Sequence, residues 1–422
     1  MFGNNAGGQA ASGTPRGPVA ADPRVGRRSA GTPNATIALC NLPNQSIMPG
    51  MAADGLKIAM LAPVSWPVPP ESYGPWEQVC ANICEELVRL GHKVTLFAAA
   101  GSHTSARLVA TVPHPFSLWP EEELRRTQQF DPDTGLLVGP PDFRVLEQNH
   151  IATCMEWVRD GDFDIVHSHL HVHALVFSRL IDCPLVSTLH GSAWVRSMHG
   201  VLDRYKNMPF VSISNAERLF KPDLNYVATV YNGIDLSNYE FCAEKDDFLL
   251  FSGRFAPEKG AADAVQIALR AGMPLKLAGM IEPVYQDYYD DQIKPHLDGR
   301  NVEYVGLLTQ KELAPLYQKA RAVLCPIHWA EPFGLVGVEA LACGTPVLAA
   351  PKGALPEIVE HGRTGFLFDS IDQAVEQIPR IADLDPAACR RRVEQHFSAA
   401  AMTAGYVSVY EKLTQTAAGG KP

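Results

Sequence analysis

The chain has no run of about 18 apolar residues, so the sequence predicts no transmembrane helix. Its nine cysteines include no CxxC pair, which leaves no ready thiol-metal or redox motif. Cys80 and Cys84 come nearest, one helical turn apart, and are expected as buried thiols. Such cysteine usage fits a reducing cytosol. Charge is sparse at 19% and the formal net charge is −10. The missing basic excess speaks against a nucleic-acid partner. A secretory signal is missing too. The first 54 residues are rich in Gly, Ala, Pro and Asn and hold arginines, but no continuous apolar stretch. They are expected as a disordered tail, with Met48 or Met51 as alternative starts. A transit peptide is the weaker alternative, since the tail is basic and poor in acids.

What is present is a 46% hydrophobic chain of 422 residues, too long for one ordinary core, so two domains are expected. "LKIAMLA" from Leu56 reads as a buried strand. After a Pro-rich loop, Pro75 suits the first turn of a helix whose apolar stripe runs Val79, Cys80, Ile83, Cys84, Leu87, Val88. Gly91 stops it, and "HKVTLFAA" is the next strand. Four more short strands are expected at "DIVHSHL", "PLVSTLHG", "FVSIS" and "VATVYNG". Residues 115–150, polar and broken by Pro and Gly, are expected as irregular helices or a loop, with a place in an acceptor site.

Turn-rich sequence between 236 and 246 marks the domain boundary, and β/α alternation restarts at "FLLFSGR". The fold class is therefore α/β, with two Rossmann-like doubly wound domains and ligand sites at the carboxyl ends of strands. The expected divisions are 1–54 (tail), 55–238, 239–398, and 399–422, the last containing the final helix.

The chemistry concentrates in "EPFGLVGVEALACGTPVLAAPKG", Glu331 to Gly353. Glu331 follows the strand "AVLCPI", Pro332-Phe333-Gly334 turns the chain, and a helix begins. A helix N-terminus carries free N–H groups and partial positive charge, and Gly334 lets a ligand approach closely, which suits a phosphate. Glu331 and Glu339 are eight residues apart, a rise of about 12 Å if helical. An acid–base pair of carboxylates needs about 5 to 9.5 Å. The spacing instead favours two hydroxyl acceptors at opposite ends of one long ligand, such as a nucleotide sugar. A helix-start glutamate plus a surface glutamate is the plainer alternative. "SGRFAPEKG" places Arg254 and Lys259 across a turn at another strand end, where a guanidinium and an ammonium suit a diphosphate. Gly74, before the first helix, marks a loop able to reach a phosphate or sugar.

His167, His169, His171, His173 and His190 form a histidine series. It reads as one or two polar cleft residues rather than zinc ligands, since no acidic or cysteine partner stands at ligand spacing. The acid pairs beginning at Asp131 and Asp162 are discounted as short chance matches to a metal-holding motif.

"GRFAPEKG" followed by the Glu331–Gly353 stretch and "ALPEIVEHGRTGFL" resembles the retaining nucleotide-sugar glycosyltransferases of family 4, group 1, with the GT-B fold. The resemblance covers about residues 56–415. It implies that two domains face each other across a cleft. It also implies that Glu331 contacts donor-sugar hydroxyls and Glu339 the ribose. Arg254 and Lys259 would bind the diphosphate, and the backbone amides of Phe333, Gly334 and Leu335 would meet sugar and phosphate. His169 best matches the family's cleft histidine, with His167 or His171 as replacements. The first domain would bind the acceptor, and the last helix would cross back onto it. Where the family often has Gly-Gly, this chain has Gly74-Pro75, which removes one N–H.

The expected reaction is transfer of a hexose, with retention, from a nucleoside diphosphate sugar (UDP first, GDP second) to a hydroxyl of a small-molecule, glycan or lipid-linked acceptor. No metal or other cofactor is expected. Nothing in the sequence marks a peripheral membrane contact. The alternatives are an epimerase or phosphorylase on the same fold, and a non-catalytic nucleotide-sugar binding protein.

Overall fold

The computed structural model describes residues 55–71, 74–130, 134 and 136–419. The expected 1–54 tail and the acid pair at Asp131 lie outside these residues. Among the described residues, strands are β1 (Lys57–Leu61), β2 (Lys93–Ala99), β3 (Arg107–Val112), β4 (Gln129–Phe130), β5 (Leu137–Val138), β6 (Ile165–Ser168), β7 (Leu185–Leu189), β8 (Phe210–Ser212) and β9 (Tyr226–Thr229). The second half adds β10 (Leu249–Ser252), β11 (Leu275–Ala278), β12 (Val302–Gly306), β13 (Ala322–Cys325), β14 (Val347–Ala349) and β15 (Gly365–Leu367).

They form two parallel sheets, ordered β3-β2-β1-β6-β7-β8-β9 and β12-β11-β10-β13-β14-β15, beside a small antiparallel β4-β5 ribbon. Strand order reverses at β1 in the first sheet and at β10 in the second. Registers there run Ile58 opposite both Val94 and Ile165, and Leu249 opposite both Leu275 and Ala322. Such reversals open a crevice at the carboxyl ends of the strands. Central strands are near-continuous apolar runs because they are buried on both faces, as in Met60, Leu61, Leu250 and Val323, each almost wholly shielded.

The first helix, Pro75–Arg89, starts on Gly74 with Pro75 at its first position and buries Val79, Cys80, Ile83, Cys84 and Leu87. Two elements depart from the sequence reading. Strand β3 extends the sheet at its edge, and Phe143–Asp160 is a regular helix. Asp142 caps that helix by accepting from the N–H groups of Arg144 and Val145. Its first two turns lie inside the stretch expected to be irregular.

The final helix, Ala399–Gly419, packs on the first one and closes the apolar layer of the first sheet. Tyr410 Oη lies 2.6 Å from His167 Nδ1, and Tyr406 Oη lies 3.1 Å from Thr188 Oγ1. The end of the chain thereby braces β6 and β7, the strands that deliver the histidines. Among the described residues, no helix is long and apolar enough to cross a membrane.

Candidate active site

The loops after β10 and β13 meet at the switch point of the second sheet. After β10, the turn Pro257–Lys259 ends on Gly260, whose φ is +75°. A Cβ there would stand 2.0 Å from the Pro326 carbonyl oxygen, so glycine lets this turn press against the β13 loop. The approach carries Lys259 to Glu331, 72 residues later: Nζ donates to Oε2 at 2.6 Å. Trp329 Nε1 donates to the same oxygen at 3.0 Å, and its ring lies 4.7 Å from Lys259 Nζ. Arg254 is held by Glu282 at 2.6 Å and Glu258 at 3.2 Å.

Beyond Glu331, Gly334 at φ +106° launches the helix Leu335–Ala342 with no side-chain cap. Its first N–H groups are left for a ligand. Arg254, Lys259, Glu331, Phe333, Gly334 and Leu335 line one cavity of about 470 Å³. Glu339 lines an adjoining lobe of about 220 Å³ with Tyr317, Gln310 and Gly279. Gly253, Arg254 and Leu335 border both. The two glutamates therefore occupy different lobes of one site. Burial pushes the Glu339 carboxyl above its ordinary value, against the hydrogen bonds of Tyr239 and Gln310.

Gly74 and Pro75 border the smaller lobe from the first domain, and Trp76, His190 and Asn232 border the larger. Gly74 has φ +146°, and a Cβ there would meet Pro70 Cβ at 2.8 Å, so its place is conformational as well as spatial.

His169 is not on the cavity wall. It is fully buried, with Nδ1 2.8 Å from His190 Nε2, and it is His190 that lines the cavity. The expected cleft histidine thus sits one layer behind the one at the surface. His167 is deeper still, tied to Thr188 and Tyr410. Burial lowers all of these imidazoles, His167 to about 3 and His171 to about 4, so they are neutral near pH 7. Among the described residues, no three His, Cys, Asp or Glu side chains converge as a metal ligand set.

Three groups escaped the sequence reading. Trp329 stands two residues before Glu331, a proximity that was the available signal. Glu357, expected only as part of a helix, accepts from the N–H groups of Asn215 (2.9 Å) and Ala216 (2.8 Å) and from Tyr231 Oη (2.9 Å). With Ser214 Oγ donating to the Pro332 carbonyl at 2.7 Å, it holds the two walls of the cleft together. Glu217, wholly buried, accepts from Gly191 N–H at 2.5 Å and Ile213 N–H at 2.9 Å and so fixes the turn that follows His190.

Burial raises the Glu217 carboxyl from 4.5 to about 8 and Glu77 to about 7. At these two groups the native state therefore binds more protons than the unfolded chain between these limits. The stability this contributes is complete below pH 4.5 and is lost as pH rises through about 8. Thermal denaturation over a pH series should show the Tm of Glu217→Gln rising relative to the parent's from about pH 5 to 8, since only the parent loses this contribution. Identical pH dependence in the two proteins would contradict the assignment.

Two family models match the chain: "Glycosyltransferase Family 4" over residues 76–238 and "Glycosyl transferases group 1" over residues 237–395. The chain is 30% identical over 377 residues to a glycogen synthase of Mycobacterium tuberculosis, covering 78% of this chain and 87% of that one. Among solved structures it resembles AviGT4, a glycosyltransferase involved in avilamycin A biosynthesis, with TM-score 0.61, 25% identity, and coverage of 86% and 98%. It also shares the fold of the sucrose-phosphate synthase of Thermosynechococcus elongatus, with TM-score 0.67, 19% identity, and coverage of 86% and 100%. Matched across both halves, and spanning most of its relative's length, the chain belongs to the family 4 glycosyltransferases of the GT-B fold.

Proposed function

We propose that the protein moves a hexose from a nucleoside diphosphate sugar, UDP-linked first and GDP-linked second, to a hydroxyl acceptor with retention at the anomeric carbon. The carrying observation is the Lys259–Glu331 pair at the mouth of an uncapped helix, with Glu339 in the adjoining lobe. In this reading the second-domain side of the larger lobe takes the sugar and diphosphate, and the smaller lobe takes the nucleoside. Lys259, Arg254 and the N–H groups at Gly334 and Leu335 neutralise the diphosphate. Glu331 takes donor-sugar hydroxyls and Glu339 the ribose hydroxyls.

The bond between C1 and the phosphate oxygen breaks as the acceptor oxygen bonds to C1 on the same face, and the acceptor proton passes to the departing diphosphate. In this reading neither carboxylate of the larger lobe is used as a nucleophile: Glu331 is paired with Lys259 and Trp329, and Glu282 with Arg254. The positive groups stabilise charge as it grows on the leaving group. The buried free thiols fit a reducing compartment, the cytoplasm.

The test is nucleotide release by the purified protein against a panel of UDP- and GDP-hexoses. Neither release nor binding with any of them would overturn the reading. Within it, Glu339→Ala should raise the donor KM about tenfold to a hundredfold with a smaller change in kcat, as loss of a charged hydrogen-bond acceptor in ground-state binding predicts. A donor KM equal to the parent's would remove Glu339 from the ribose.

A further inference from the structure

The two walls of the larger lobe differ in charge. The second domain contributes Arg254, Lys259, Glu282 and Glu331, while the first contributes Pro75, Trp76, His190, Ile213 and Asn232 among the described residues. The first-domain wall is neutral, because burial, followed by His169 and His171, holds the His190 imidazole well below its ordinary value.

Two atoms on this neutral wall are buried without a hydrogen-bond partner: His190 Nδ1 and Asn232 Oδ1, on side chains of residues only 4% exposed. An orphaned buried polar atom is destabilising, and a ligand that supplies its partner relieves that cost. The opposite nitrogen of His190 is engaged with His169, so the tautomer sets whether Nδ1 donates or accepts. A hydroxyl does both and meets either case. Asn232 Oδ1 needs a donor, which a hydroxyl also supplies.

Beside these atoms, Trp76 keeps 39% of its surface exposed. Its ring is nevertheless oriented by its neighbours, edge-on to His171 at 4.6 Å and near-parallel to His190 at 5.9 Å. A fixed, open indole in a cavity is a platform for the C–H face of a sugar ring. A phosphate or carboxylate on this wall would lose water and find no cation there.

We propose that the acceptor is a neutral sugar, free or terminating a glycan, seated on Trp76 with its hydroxyls at His190 and Asn232, and not a phosphorylated polyol. The proposal rests on the donor reading for which side of the lobe receives the acceptor, but its ligand chemistry is testable without a donor.

Saturation-transfer NMR on the protein alone compares maltotriose, cellotriose and xylotriose with inositol 3-phosphate and glucose 6-phosphate. The expected result is transfer to at least one neutral trisaccharide, lost in Trp76→Ala, retained in Trp76→Phe, and weaker for both phosphates. In turnover assays with an active donor, Trp76→Ala should raise the acceptor KM about tenfold or more and leave the donor KM within about twofold. Preference for a phosphate, no transfer to any of the sugars, or an unchanged acceptor KM in Trp76→Ala would each overturn the proposal. Failure of every nucleotide sugar to turn over, with sugar binding intact, would count against the donor reading instead.

Discussion

Alanine in place of Lys259 is expected to lower kcat for glycosyl transfer about 100- to 1,000-fold, the range seen when one preorganised group facing developing charge is removed. The chain is −10 overall, so the site must build its own positive field locally. Lys259 contributes its charge from a fixed place: its side chain is 21% exposed, Nζ bonds to Glu331 at 2.6 Å, and the Trp329 ring lies 4.7 Å away. Arg254, held by Glu282 and Glu258, adds a second positive charge from another place and does not stand in for the Lys259 ammonium. The loss should fall mainly on kcat, because negative charge grows on the departing phosphate oxygen as the C1–O bond breaks. Lys259→Arg should recover part of the rate, since it restores charge but not the compact ammonium. Steady-state kinetics with a competent donor check this. A Lys259→Ala rate within about threefold of the parent would remove Lys259 from the chemistry.

The framework around these residues was legible because buried parallel strands are near-continuous apolar runs. "FLLFSG" and "AVLCPI" are such runs, and each ends at a motif loop. The helix after Gly334 was legible from its bounding glycines, Gly334 and Gly344. Strand β3, "RLVATV", carries the same apolar signal and is set apart only by its edge position, with Arg107, Leu108 and Ala110 exposed. The helix Phe143–Asp160 was masked by the Pro and Gly residues just before it, although Ile151, Cys154, Met155 and Val158 keep helical spacing.

Within the site, local spacing pointed to Glu331, Glu339, Arg254 and Lys259 as candidates, but not to their pairing. The Lys259–Glu331 contact spans 72 residues and the Glu357–Asn215 contact 142, distances that only the closed sheets bring together. Which histidine borders the cavity was not legible for a related reason. His169 and His190 end neighbouring strands, and which one reaches the cavity depends on the turn at Gly191, φ +93°, held by Glu217. No pattern within "HSHLH" encodes a turn that lies on another strand.

Gly353→Ala should lower kcat about 100-fold even though residue 353 is not among those lining the cavity, a loss of the size expected from a misplacement of about 1 Å. Gly353 has φ +58°, the left-handed region, where a side chain costs about 1–2 kcal/mol. The larger effect is steric. A Cβ at 353 would stand 2.2 Å from both the N and O atoms of Glu331 and 2.7 Å from the Ala330 carbonyl carbon. These are backbone atoms, so no rotamer change relieves the overlap. The Ala354 N–H, bonded to the Glu331 carbonyl at 2.9 Å, keeps the two segments in register and limits their separation. Relief therefore moves the Glu331 backbone, and with it the carboxylate that Lys259 and Trp329 share. Gly362→Ala separates strain from displacement: Gly362 is also left-handed at φ +76°, but a Cβ there meets nothing within 4 Å. Gly362→Ala should lower Tm through strain while kcat stays within about twofold of the parent, since nothing displaces Glu331. Gly353→Ala should lower both. Equal kcat values in the two variants would mean that the Glu331 backbone tolerates displacement, and the close packing of the Lys352-Gly353 turn would lose its link to the site.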